Sequence, residues 1–437
     1  MTVPTYADQF AAASANGGGE GPSWLPALRQ KAFERFAALG FPTTRDEDWH
    51  FTSVTPIAER TFRAIKPAPT TLTLSDLEPW LVDAEWHRLV FVNGRLEPQL
   101  SNFAGLPAEV QVSPLSDALR EEPAWVESHL GALAGFDRAA FTALNTAFMQ
   151  DGVVVRVPKG EVVEVPLHIL HITDAQAEGG AIHPRLLVVA EPLAQLTVIE
   201  SYAAIGTPAY LVNAVAEVSV GNGARVDHYK IQRESIDAFH VGTVQVTQGR
   251  DSIYHSFSFA AGAALSRTNV YTKLAGTGGE ARLNGLYVLD GPQHADHQTF
   301  VEHLAEACAS RELYKGILDG ESHGVFNGKV YVDPIAQKTD GKQTNKALLL
   351  SEKARVDTKP QLEIFADDVK CTHGATIGRL DELALFYLKS RAIGAESARA
   401  LLTYAFAAEV LETIEIDALR VALERDLFER FTHLRLE

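Results

Sequence analysis

The sequence predicts a mainly β protein, with a long strand-rich middle and helical segments at both ends. Three observations carry that reading. From Val153 to about Thr376, short runs rich in Val, Ile and Tyr recur, broken by Gly, Asn and Asp, the pattern of strands separated by turns. Apolar residues at helical spacing are confined to the stretches before and after it. Within the middle, a turn followed by a small or charged residue and then an apolar one returns at Arg225-Val226, Ser252-Ile253, Arg282-Leu283, Gly324-Val325 and Arg355-Val356. A sandwich, a barrel and a β-helix all fit a long all-β unit. The repeat favours the β-helix, although its apolar positions lie an irregular 27, 30, 42 and 31 residues apart. Stacked coils tolerate such irregularity, because each rung contacts its neighbours and insertions become loops.

The N-terminal part, residues 1–150, reads as mixed and partly helical. Gly17 to Ser23 is a break in the chain pattern. Trp24 to Leu39 then places Leu25, Leu28, Phe33, Phe36 and Leu39 at helical spacing, and Gly40 and Pro42 end it. Further helical stretches are expected from about Ser116 to Leu133 and from Arg138 to Phe148. The strand-rich core is assigned to residues 151–378, with strands at Val153–Val157, Leu186–Ala190, Leu196–Glu200, Gly242–Val246 and Lys329–Val332.

Residues 379–437 form a C-terminal helical module. Asp381 is the expected N-cap of its first helix and Gly394 the expected end. A second helix is expected from about Glu396 to Ile414, with Ala398, Leu401, Leu402, Ala405 and Phe406 on one stripe, and a third from about Asp417 to Leu434. These stripes pack on each other by default. Residues left over, Phe386, Tyr387 and Phe406 among them, offer a helix-face docking surface.

Composition narrows the function. The chain carries 39 basic and 56 acidic residues, a net charge of -17, which disfavours nucleic acid and anionic membranes as partners. No apolar run reaches membrane-spanning length, and the N-terminus lacks the pattern of a secretory signal. The two cysteines, Cys308 and Cys371, fit a reducing cytoplasm. They are too few for a self-contained four-thiolate zinc or iron–sulfur site. Any metal site therefore needs histidine, carboxylate or a second chain.

Two clusters could carry chemistry. In Asp367–Thr376 (DDVKCTHGAT), a strand would turn Val369, Cys371 and His373 to one face. A thiolate and an imidazole two residues apart can reach one metal but supply only two of about four ligands. The plain alternative is a small buried cysteine beside a hydrogen-bonded histidine. The second cluster holds His294, Asp296, His297, Glu302 and His303, residue types that suit zinc or iron. Asp296 and His297 are read as part of a turn after Gly291-Pro292. Because His294 and His297 stand three apart, they face opposite ways on an extended chain, which favours hydrogen bonding between rungs. The sequence shows no P-loop, no G-x-S-x-G elbow and no H-E-x-x-H. The glycines of Gly276–Glu280 read as a turn.

The stretch from Glu312 to Gly394 strongly resembles the SufB/SufD family. FNGKVYV (Phe326–Val332), QKTDGKQTNKALLLS (Gln337–Ser351), DTKPQLEIFADDVKCTHGAT (Asp357–Thr376) and ALFYLKSRAIG (Ala384–Gly394) look like its SufD branch rather than its SufB branch. Leu144–Gly160 and Phe41–Thr52 fit as well, so the likeness spans nearly the whole chain. It implies a right-handed parallel β-helix core with helical ends, and a cytoplasmic, non-catalytic scaffold subunit for iron–sulfur cluster assembly. It implies a heterodimer with SufB through the β-helix. It also implies docking of the ABC-type ATPase SufC on the C-terminal helices, where Phe386, Tyr387, Leu401 and Phe406 are the expected contacts. SufC would then supply the nucleotide chemistry, with no nucleotide bound here. The family's nascent-cluster site lies between SufB and SufD, and the position here that matches SufD's histidine is His373. Cys371 is the candidate auxiliary ligand, and Cys308 matches no family site. A homodimer is expected when SufB is absent. The rival readings are a β-helical carbohydrate-active or acyl-transfer enzyme and a metal-free homodimeric interaction protein.

Overall fold

The computed structural model describes residues 3–17, 21–60, 62–65 and 68–433. Its centre is a two-sheet parallel β-helix in which the chain alternates between sheets and each strand pairs with the strand two further on. One sheet ends in Leu265–Leu274, His294–His303, His323–Val332 and Arg355–Ile364, in that spatial order. The other ends in Glu280–Leu289, Ala309–Leu318, Asp340–Leu349 and Lys370–Gly378. Stacking of this kind lets every rung satisfy its backbone hydrogen bonds on its neighbours.

The predicted strands all lie within observed ones, but the repeat is read differently. In the second sheet, Arg225, Ile253, Glu280, Ala309, Asp340 and Lys370 occupy one register column. The sequence-based repeat slipped against this column, with Ile253 on it, Val226 one residue past it and Leu283 three past it, and at Gly324 it crossed to the other sheet, hence its one long interval. The structural signal is a corner. Leu193, Gly223, Asp251, Gly278, Ala307 and Lys338 all take positive φ, and each stands two residues before a strand of the second sheet. All six corners lie in the left-handed region, and only two of them are glycine.

Alternation sorts the side chains. Inward-facing residues such as Val198, Val218, Val226, Val244, Val270, Leu283 and Val301 form the continuous core. Outward-facing residues are covered too. The N-terminal region lies on the first sheet: Tyr6, Phe36, Phe62, Phe141 and Leu144 pack with Leu211, Phe239, Val241 and Leu265. The C-terminal helices lie on the second: Ala407, Val410, Leu411, Leu419 and Leu423 pack with Tyr229, Phe257, Phe259, Leu286 and Ile317.

Several helical expectations are corrected. The stretch from Ser116 to Leu133 is two short helices, Leu115–Glu121 and Pro123–His129, because Pro123 lacks the amide that would continue the first. Asp381 does cap Glu382–Ser390, accepting from the amides of Leu383 and Ala384. That helix ends at Ser390, before Ala392 takes positive φ, and Gly394 instead precedes Ala395–Leu411. The buried stripe of Ala395–Leu411 is Ala398, Thr403, Ala407, Val410 and Leu411, not the one through Leu401 and Ala405. The last helix is Asp417–His433, and Leu434 lies outside the described residues, as do residues 18–20 within the predicted break. The ladder also starts before residue 151, since His87–Val92 pairs in parallel with Leu167–Thr173.

Ion pairs fasten the N-terminal region to the first sheet. Arg185 and Glu217 are fully buried, 2.5 Å apart. Arg185 also donates to Asn145, while Glu217 accepts from the amides of Gly131, Leu133 and Ala134. Breaking such a pair from one side strands a charge. Arg185→Ala is expected to lose about 3–5 kcal/mol in urea denaturation, and Arg185→Met with Glu217→Leu much less. A loss below about 1 kcal/mol in the single variant would show that the pair does not hold this seam.

Candidate functional site

The β-helix is open at its C-terminal end. Arg355–Ile364 and Lys370–Gly378 are the last strands of their sheets and each has one free edge. Inward-facing positions of this final rung are no longer roofed by another described strand, so Ile364 and Ile377 stand exposed. Free edges and exposed apolar residues together mark a surface made for pairing.

Cys371 and His373 lie on this end. Their strand reaches from Lys370 to Gly378, and alternation puts both side chains on the inward face. Their environments differ. Cys371 is half-buried, packing near Val330, Val332, Ala336 and Ala366, and burial pushes its thiol up, partly countered by the Gly341 amide. His373 is exposed. A thiol and an imidazole on one face can ligate iron, but two donors leave a four-coordinate site half complete. The remaining ligands must approach from the open side. Cys308 lies at a corner two rungs below this end: it is buried, and its thiol contacts the Gly276 carbonyl at 3.3 Å.

Polar residues line the interior directly beneath His373, a feature not read from the sequence. Gln343 is the register partner of His373, and Glu312 is the partner of Gln343 one rung deeper. Glu312 accepts from Thr299 Oγ1 at 2.5 Å and from Gln343 Nε2 at 3.2 Å. Burial dominates and pushes its carboxyl up to about 7. Deeper still, Glu200 accepts from Tyr202 and pairs with His228 at 2.7 Å, and His228 contacts Tyr254. The signal for this track was period 2 within strands such as Ala309–Leu318, which puts Ser310, Glu312 and Tyr314 on one face. It became readable only once the facing direction of each strand was known.

The histidine cluster is strand, not turn: His294–His303 is continuous. His294 and His297 face opposite ways as alternation requires. His297 is buried inside the coil against Tyr287 and Tyr314. His294 faces outward and contacts His323 on the next rung. His303 faces inward and bonds Ser310 at 2.9 Å. A second cluster, absent from the sequence reading, joins Asp227, His255 and Glu415. Arg225 pairs with both carboxylates, so the cluster clasps the turn before the last helix to the second sheet.

On the C-terminal helices, Phe386, Tyr387 and Leu401 are 71%, 56% and 48% exposed, alongside Leu383 at 79%. Phe406 departs from the expected exposed surface. It is half-buried against the β-helix, with Lys315 Nζ 4.4 Å from its ring centre and 2.6 Å from its carbonyl oxygen.

An open-ended parallel β-helix with both outer faces covered from within the chain is the class of protein that this fold defines. Comparison with known proteins makes this specific. Residues 171–406 match the SufBD core domain of the SUF system for iron–sulfur cluster assembly, and residues 3–169 match the SufBD N-terminal region. The chain belongs to the SufBD family of iron–sulfur cluster assembly proteins. It is 36% identical over 406 residues to a SufBD family protein of Synechocystis, covering 91% of this chain and 89% of that one. It is 32% identical over 403 residues to the cluster assembly protein SufD of Escherichia coli (90% and 89% covered) and 29% identical over 414 residues to SufD of Bacillus subtilis (92% and 93%). Among the described residues, no helix is long and apolar enough to cross a membrane.

Glu312 gives a pH test that needs no partner. Its carboxyl sits near 7 in the fold against an ordinary 4.5. The folded state therefore favours the protonated form. That contribution is complete below pH 4.5 and is lost as pH rises through 7. Wild type should lose on the order of 3 kcal/mol between pH 4.5 and 8 that Glu312→Gln does not lose. Urea denaturation at both pH values checks this, and parallel slopes for the two proteins would refute it.

Proposed function

We propose that this chain is the SufD-type scaffold subunit of a cluster assembly complex, pairing with SufB at the open end of the β-helix. The observation that carries the proposal is the juxtaposition of two unpaired strand edges with His373 and Cys371 on one exposed end. A partner strand on either edge satisfies the backbone and closes the coil. It also brings its own ligands to a site that lacks two. His373 is the primary ligand to the nascent iron–sulfur cluster, which is cargo passed on to other proteins. Cys371 is an auxiliary ligand whose raised thiol must release a proton before it binds iron. Catalysis of ATP hydrolysis belongs to the SufC partner, in a cytoplasmic complex that binds neither nucleic acid nor membrane.

SufC docks on the face formed by Phe386, Tyr387 and Leu401. These large side chains are exposed while the opposite stripe is buried on the second sheet. Phe406 serves as an anchor holding that helix to Lys315 rather than as a contact. Motion of docked ATPase subunits is then transmitted through Ala395–Leu411 to the coil and its end. The same free edges support a homodimer when SufB is absent.

Two measurements test this reading. Co-expressed with SufB and SufC and purified without oxygen, the wild-type chain should carry labile iron and sulfide. His373→Ala should keep both partners and lose most of that iron. Retention of iron at wild-type level would remove His373 from the site. Removing the chain from Asp381 onward would bare the apolar face around Phe257 and Phe259, so the docking face is better tested by Phe386→Asp with Tyr387→Asp. This pair should abolish co-purification of SufC and leave SufB bound; unchanged SufC recovery would overturn the docking assignment.

A further inference from the structure

His294 and His323 are register partners on adjacent rungs, facing outward where the N-terminal region meets the first sheet. Their Nδ1 atoms stand 3.1 Å apart. Hydrogen bonding fixes the tautomer of each ring. Asp296 accepts from Arg267 Nη1 and from Gln298 Nε2, each at 2.6 Å, and so is a carboxylate. Thr52 Oγ1, 2.6 Å from the same carboxylate, must donate to it. Thr52 can then only accept from His294, whose Nε2 lies 2.9 Å away and therefore carries the hydrogen. His294 Nδ1 is left with a lone pair. On the other ring, Nε2 of His323 donates to Asp357 Oδ2 at 2.7 Å, which turns its Nδ1 toward His294. Two imidazole nitrogens thus face each other at 3.1 Å, each with its far nitrogen held by an oxygen, and a single cation between them would join both rings.

We propose that His294 and His323 form a binding site for a divalent transition-metal ion of the zinc or iron class. Two nitrogens each about 2.0–2.1 Å from one ion stand about 2.9 Å apart at a right angle and about 3.3 Å apart at the tetrahedral angle. The observed 3.1 Å falls between these. Each ring is held by an acceptor on its far nitrogen, the arrangement that orients imidazole ligands and raises their basicity. The immediate charges balance. Arg267 is neutralised by Asp296 at 2.6 Å, and Asp357 offsets Arg355, the exposed next residue in the column. Two ligands leave positions open on the solvent side, where the His323 side chain is 12% exposed. The site is therefore exchangeable, and it bridges the seam between Thr52 and two rungs. It involves none of the residues assigned to the open end.

The test uses full-length protein carrying Cys371→Ala and His373→Ala, so that the end site cannot contribute. Zinc is titrated calorimetrically into metal-free protein, and cobalt absorption and X-ray absorption report the ligands. One equivalent should bind, with a nitrogen-rich first shell. His323→Gln, a change near the surface, and His294→Ala should each remove it, and Asp357→Asn should weaken it at least tenfold, as loss of an outer-shell partner does. Zinc affinity unchanged in His323→Gln would overturn the proposal. So would a nitrogen-15 spectrum at pH 7.5 showing one proton shared between the rings and no response to zinc. Because the end site is disabled throughout, failure here leaves the cluster-site reading untouched, and failure of that reading leaves this one standing.

Discussion

Parallel stacking is the constraint from which the other features of this molecule follow. A strand in the middle of the coil has both edges satisfied by the rungs beside it, whatever its side chains are. The obligation to find partners is thereby moved to the ends. At the N-terminal end it is met inside the chain: Gln111–Pro114 pairs antiparallel with Gly152–Val157, and Arg95–Leu96 with His87–Val92. At the C-terminal end nothing among the described residues meets it. The last rung is as regular as the others, with nine register pairs between Asp340–Leu349 and Lys370–Gly378, yet it has no roof. A regular strand with an unused edge is hazardous to leave unguarded, and this is the edge that the proposed partner would cover.

The sides of the coil are treated in the opposite way. Each outer face is covered from within the chain, and the two covers are fastened differently. The N-terminal cover uses buried charge, with Arg185–Glu217 and with Arg267 placed 3.7 Å over the Trp49 ring while paired to Asp296. The C-terminal cover is mostly apolar, edged by Lys315–Glu409 and by Arg225 with Glu415. Charge pairs specify one seating and no other. Apolar contact tolerates small sliding, which suits a module expected to pass motion from a docked partner to the coil.

Much of this was legible in the sequence. Alternating Val, Ile and Tyr located the strands, and Asp381 located a helix start through its own side-chain bonds. Cys371 and His373 could be placed on one face because period 2 is a property of strands wherever they occur. Register was not legible. The corner recurs as Leu193, Gly223, Asp251, Gly278, Ala307 and Lys338, and no chemical likeness links those residues. What they share is a backbone angle imposed by the stack. For the same reason the track from Glu200 to Gln343 stayed hidden, since a buried Glu312 and a half-buried Glu280 look alike until the facing of their strands is known. Phe406 failed as an exposed residue because a helix with large apolar residues on two sides does not reveal which side the sheet will take.

The position of the N-terminal cover bears on how the chain can be made. Thr52 and Asp296 are separated by 244 residues, and Glu47 meets Lys359 across 312. During synthesis the earliest segment emerges with Phe36, Phe41 and Trp49 and no surface to lay them on. The rungs they cover appear only when most of the chain has been translated, at about 5–20 residues per second. For some tens of seconds a nascent chain therefore displays an aromatic cluster beside a growing stack of open strand edges. Exposed aromatic surface and unpaired strand edges are what chaperones bind, so a nascent chain in that interval is a natural client for them.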